Sequence, residues 1–180
     1  AVGPYSQKGP FNDGEFWSDL VSGESLIIAY EPSTDYTTTE IPFDPIEVSH
    51  RFAAEKTNSS VVKESTANDG TSTPLASAAS CALDVSCYPR YSEPASAVAL
   101  MIFESEGKTY QCSGALVSSA SQPPTPLFLT ANHCISTDAE ARSLITIFKY
   151  QTPACNGTPP SLSRLPRVTG ATLLQGQPMA

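Results

Sequence analysis

The chain is predicted to be all-β. Short runs of β-branched, aromatic and aliphatic residues recur along it, turn residues separate them, and no stretch sustains a 3.6-residue apolar period. Strands of that length and spacing build an antiparallel barrel or sandwich.

In order along the chain, residues 1–56 carry the first such runs. Phe16-Trp17 follows the turn residues Asn12-Asp13-Gly14, and Leu26-Ile27-Ile28 with Tyr30 lies between Glu24 and Glu31. The stretch from Ile41 to Phe52 alternates loosely, and Pro42 and Pro45 push it to a sheet edge. Three short strands bury too little apolar surface to stand alone. The span is therefore expected to be a partial β-sandwich, an accessory or pro-domain whose first strands precede Ala1. Trp17 reads as a core or sheet-face residue. His50 has no partner at metal-ligand spacing and reads as structural.

Residues 57–80 are small and polar, from Thr57-Asn58-Ser59-Ser60 to Ser80, which is linker composition and an expected site of proteolytic processing. Asn58-Ser59-Ser60 and Asn156-Gly157-Thr158 fit the N-glycosylation pattern, which matters only in a host that glycosylates.

From Cys81 the texture changes. Ala97 to Phe103 is a continuous apolar run, Ser105-Glu106-Gly107 is a turn, and Lys108 to Val117 returns antiparallel to the first strand. Leu127 to Thr130 is a short buried strand, Asp138 to Arg142 a helical turn, and Leu144 to Tyr150 a dense β-former run. Val168 to Leu174 supplies a last strand, interrupted at Gly170. Glu104, Glu106, Asp138 and Glu140 read as solvated turn charges, and no loop has the oxygen density of a calcium site.

Composition excludes several function classes. A net charge of -8 argues against nucleic acid, which needs a basic face to release counterions. No apolar run approaches the roughly 20 residues needed to cross a bilayer, so no membrane partner is expected, and any export signal lies upstream. All five cysteines (Cys81, Cys87, Cys112, Cys134 and Cys155) fall in the second half, as in an exported protein stapled by disulfides. The odd number leaves one of them to pair outside the chain or to stay free.

The chemistry is concentrated at Thr130-Ala131-Asn132-His133-Cys134, preceded by Cys112-Ser113-Gly114-Ala115-Leu116. A serine protease needs an imidazole to accept the hydroxyl proton, a carboxylate to fix its tautomer, and amides to hold the oxyanion. The two-part pattern closely resembles the trypsin-like serine protease superfamily, in which Cys-x-Gly-x-Leu is followed by Thr-Ala-x-His-Cys. Its details are similar to the bacterial lysyl-endopeptidase-like branch, through Cys81-Ala82-Leu83-Asp84-Val85-Ser86-Cys87 and Tyr150-Gln151-Thr152-Pro153-Ala154-Cys155.

The resemblance covers Cys81 to about residue 180. It implies that residues 81–180 form the first antiparallel barrel of a two-barrel protease, completed by a C-terminal barrel of the same polypeptide. It also implies that His133 is the general base, that Cys87 pairs with Cys155 and Cys112 with Cys134, and that Cys81 reaches a partner outside this chain. The family's Asp-Phe-x-Leu-Leu-like strand and its Gly-x-Ser-Gly nucleophile are both missing, so the chain alone is expected to be inactive. Neither Asp84 nor Asp138 sits where the family places its carboxylate. The stretch from Gly3-Pro4-Tyr5-Ser6 to Gly23-Glu24-Ser25-Leu26 loosely resembles the β-rich region upstream of such domains.

The implied parent is a secreted serine endopeptidase acting on peptides or proteins, with no cofactor and no metal. A zinc site built from Cys112, His133, Cys134 and another cysteine is disfavoured, because adjacent His-Cys reaches one tetrahedral metal with difficulty. The alternative function class is a noncatalytic secreted binding or adhesion module on an inactive protease scaffold.

Overall fold

The computed structural model describes residues 2–5, 8–23, 25–32, 43–45, 47–49 and 83–174. His50, Cys81 and the whole of 57–80 lie outside the described residues.

Five antiparallel strands make one curled sheet, a half-barrel: β1 (Val98–Ser105), β2 (Lys108–Val117), β3 (Leu127–Leu129), β4 (Ile145–Phe148) and β5 (Arg167–Thr169), in the spatial order β3-β2-β1-β4-β5. A short helix, α1 (Ser92–Ala95), precedes the sheet, and a second, α2 (Asp138–Ser143), joins β3 to β4. β3 and β5 do not pair with each other, so the barrel expected over 81–180 is open among the described residues.

The longest pairing is local. β1 and β2 align from Val98 opposite Ala115 to Ser105 opposite Lys108. Between them Glu106 (φ 52°) and Gly107 (φ 74°) both take left-handed backbone, as the two central residues of a type I′ hairpin turn require. β1 is the central strand and is apolar on both faces, hence its unbroken hydrophobic run. Met101 and Phe103 point to one side, into a cluster with Cys134, Ile135, Ala141 and Leu144. Ile102 points to the other, where it packs with Ile145, Ile147 and the half-buried Leu20, Leu162 and Leu165.

No strand occurs among the described residues of 1–56, the span expected to be a partial β-sandwich. Phe16-Trp17 and Leu26-Ile27-Ile28 are β-formers, but a strand also needs a hydrogen-bonding neighbour. Ile27 is 90% exposed, so it has neither ladder nor core. Residues 11–20 instead lie against the sheet built by the second half. Asp13 pairs with Arg142, whose guanidinium carbon stands 4.8 Å over the Phe11 ring. Asp19 pairs with the half-buried Arg167 at 3.2 Å, and Leu20 joins the cluster of Ile102 and Ile147.

Two glycines are fixed by close approach. A Cβ on Gly170, which ends β5 with φ +73°, would stand 2.8 Å from Cζ of Phe11. A Cβ on Gly114 would stand 2.4 Å from Cε1 of Phe128 and 2.7 Å from the Leu129 carbonyl oxygen. The second contact is the tighter constraint, because it involves backbone on the neighbouring strand as well as a ring. Gly114→Ala is expected to push β3 away from β2 and destabilise the fold by about 1–3 kcal/mol, the usual scale of overpacking. Urea denaturation of variant and parent checks this; an unchanged midpoint would remove the packing role given to Gly114.

Candidate active site

The site is the seam where β2 meets β3 and the turn that follows it. Three ties cross that seam. The ladder aligns Ala115 with Leu129 and Val117 with Leu127. Just past its end, the Thr130 hydroxyl donates to the Ser113 carbonyl at 3.0 Å. One turn further, Cys134 is joined to Cys112 by a disulfide. Gly114 lets Phe128 lie flush across the pair. The Cys-Ser-Gly and Thr-Ala-Asn-His-Cys segments, far apart in sequence, are thus the two sides of one strand pair.

His133 stands on the turn that caps this seam. The Cys134 and Ile135 amides both donate to the Ala131 carbonyl, at 2.9 Å and 3.3 Å, and close the turn around it. Its neighbours Cys134 and Ile135 are 5% and 6% exposed and point into the core, whereas His133 is exposed. Two consecutive buried residues hold the backbone just after His133 and leave its side chain to face outward.

The ligand atoms of Cys112, His133 and Cys134 all lie within 4.8 Å of one another, so adjacency does not keep His133 and Cys134 apart as the sequence suggested. The two sulfurs are nevertheless bonded to each other, and zinc binds thiolates, which a disulfide does not offer.

Asp84 and Asp138, the two carboxylates that the sequence offers apart from the missing family motif, are engaged in structural contacts. Asp84 accepts from the Ser86 amide at 2.9 Å, the Thr152 hydroxyl at 2.7 Å and the Asn156 amide at 2.7 Å. The Thr152 hydroxyl, then the Ser86 amide, hold its carboxyl below the ordinary range. These bonds brace the ends joined by the Cys87 to Cys155 disulfide, which spans 68 residues. Closing a loop of that size removes about 4 kcal/mol of unfolded-chain entropy in the chain-entropy model. Asp138 accepts from Arg142 Nε at 2.9 Å and from the Leu173 amide at 3.3 Å, and the arginine lowers its pKa.

The expectation that Glu140 is a solvated turn charge is corrected. Its carboxylate accepts from the Ser105 hydroxyl (2.7 Å), the Ser136 amide (2.7 Å), the Thr137 amide (2.9 Å) and the Ser136 hydroxyl (3.1 Å). The Thr137 hydroxyl in turn accepts from the Glu140 amide at 3.2 Å, completing a capping box at the start of α2. The signal was present in Thr137-Asp138-Ala139-Glu140, a Thr followed three residues later by Glu. Arg142 was missed for a different reason: its partners Phe11 and Asp13 lie more than a hundred residues upstream, beyond any local pattern.

Partial burial raises the Glu140 pKa, but the bonds from Ser105, Ser136 and Thr137 outweigh it and bring the group to about 2 from an ordinary 4.5. A folded pKa below the unfolded one stabilises above the unfolded value. The contribution is therefore complete above about pH 4.5 and is lost as pH falls towards about 2. Glu140→Gln is expected to cost about 1–2 kcal/mol at pH 7, after allowance for solvent screening, and to flatten the stability profile between those two pH values. Urea titrations at a series of pH values check it; parallel profiles for parent and variant would contradict it.

The model of the lysyl endopeptidase C-terminal domain family matches residues 75–178. The lysyl endopeptidase of Pseudomonas aeruginosa is 28% identical over 149 residues, which cover 79% of this chain and 30% of that protein. The chain thus spans under a third of that relative's length, and the likeness extends upstream of Cys81. No solved structure gives a significant match. The family match takes in more than half of the chain, including all five cysteines and both sides of the His133 seam, and the chain belongs to the lysyl endopeptidase C-terminal domain family.

Proposed function

We propose that this chain is part of a secreted, trypsin-like serine endopeptidase in which His133 is the general base. Residues 81–180 supply its first barrel, and the catalytic carboxylate, the serine nucleophile and the second barrel come from polypeptide outside this sequence. The observation that carries the reading is an exposed imidazole on a turn braced by a disulfide and a strand ladder and followed by two buried residues, Cys134 and Ile135. A general base must keep one orientation while facing the substrate, and such bracing provides that. Asp84, Asp138 and Glu140 are spent on caps and an ion pair, which favours a partner aspartate from elsewhere.

The reaction is acyl transfer. The imidazole takes the serine hydroxyl proton as oxygen attacks the peptide carbonyl, then returns that proton to the leaving amine. The two disulfides among the described residues suit an oxidising, extracellular setting. No helix among the described residues is long and apolar enough to cross a membrane.

The 180-residue chain by itself is expected neither to hydrolyse peptide esters nor to react with a serine-directed phosphonate. A longer polypeptide that contains it should do both, and His133→Ala there should lower kcat by roughly 10⁴-fold or more. Stoichiometric phosphonate labelling of the short chain, or full activity in the alanine variant, would overturn the assignment.

A further inference from the structure

We propose that Glu140 is a positioning residue for the His133 imidazole, because its carboxylate ties the segment that follows the histidine to the far end of the β1–β2 hairpin. The inference rests on the reading of His133 as the general base.

A capping box asks one bond of its glutamate, to the N-cap amide, here that of Thr137 at 2.9 Å. Glu140 makes three more that no helix cap needs. Two go to Ser136, through its amide at 2.7 Å and its hydroxyl at 3.1 Å. The third comes from the Ser105 hydroxyl at 2.7 Å, the last residue of β1. Ser136 is three residues after His133, and Ser105 belongs to the most extensively paired hairpin of the sheet.

Each residue from 134 to 137 therefore has its own anchor. Cys134 is bonded to Cys112, Ile135 is buried among Met101, Ala141 and Leu144, and Ser136 and Thr137 are held by Glu140. The first two fasten the turn to β2 and to the core. Among the described residues, only the last two fasten it to the turn end of the hairpin, at Ser105, and both depend on one carboxylate. α2 extends this frame: Ser143 donates its hydroxyl to the Glu104 carbonyl at 3.3 Å and accepts from the Glu104 amide at 2.9 Å. The helix that carries Glu140 is thus locked to the same end of β1. An ionised acceptor makes stronger bonds than a neutral one, and small displacements of a general base are costly, since about 1 Å can lower a rate by about 10²-fold.

Glu140→Gln keeps the shape but removes the charge and leaves one acceptor oxygen where there were two, so the bonds from Ser136 and Thr137 weaken and the Ser105 hydroxyl must turn round to accept. In the longer polypeptide, it is expected to lower kcat about 10–100-fold while KM stays within about twofold. In the 180-residue chain, the His133 ring resonance, identified against His50→Gln, is expected to shift or broaden with both disulfides intact. Should the glutamine variant fail to fold, Ser105→Ala removes one donor only and is expected to move the same resonance less.

An unchanged His133 resonance with unchanged kcat in a folded Glu140→Gln protein, or an unchanged resonance in Ser105→Ala where the glutamine variant does not fold, overturns the proposal. A perturbed resonance in a parent that hydrolyses nothing leaves the positioning role standing and removes the protease reading.

Discussion

The structure depends above all on the crosslinked seam between β2 and the turn after β3. β3 is three residues long, and by ladder alone so short an edge strand would fray. The disulfide from Cys112 to Cys134 pins the chain just beyond its end, and the Thr130 hydroxyl bridges the gap between the ladder and the crosslink. Because Cys134 also lies in the cluster of Met101, Phe103 and Leu144, the crosslink is continuous with the core. An exposed histidine can then occupy a turn without giving up a fixed position.

That seam explains the residue types in the motif more fully than the motif explains itself. Gly114 is required because Phe128 and the Leu129 carbonyl occupy the space of a side chain. Phe128 in turn meets Phe148 of β4 edge to face, with ring centroids 6.3 Å apart. The aromatic ring thus links β3 to a strand with which it shares no hydrogen bonds, across the curl of the sheet. Curvature, not flat pairing, brings these two rings together.

Much of the sheet was legible in the sequence because its determinants are local. Glu106-Gly107 reads as a turn, and the apolar run before it reads as a strand buried on both faces; β1 and β2 follow. The helical turn at 138–142 was legible for the same reason, whereas the strand expected from Val168 to Leu174 does not resume after Gly170 and ends at Thr169. Phe16-Trp17 and Leu26-Ile27-Ile28 form no strand because β-propensity reports only that a residue suits a pleated surface, not that a partner strand exists. Phe11, Asp13 and Asp19 were instead recruited by Arg142 and Arg167, at separations no local pattern encodes. At the site, the position of His133 was readable, but the role of Glu140 required noticing that its carboxylate had more donors near it than a cap uses.

The division of labour on α2 shows how a six-residue helix organises so much of the molecule. Glu140 faces the loop that carries His133, Ala141 is buried, and Arg142 faces Asp13 and Phe11. Three consecutive residues project about 100° apart on a helix, so each addresses a different surface. A helix this short is unstable in isolation, because nucleation costs more than a single turn returns. It persists here because Glu140 reaches Ser105, Ala141 packs in the core and Arg142 reaches Asp13 and Phe11, three contacts outside the helix. Loss of any one neighbour therefore weakens the hold on the others, and the turn bearing the imidazole is coupled to the packing of residues more than a hundred positions away.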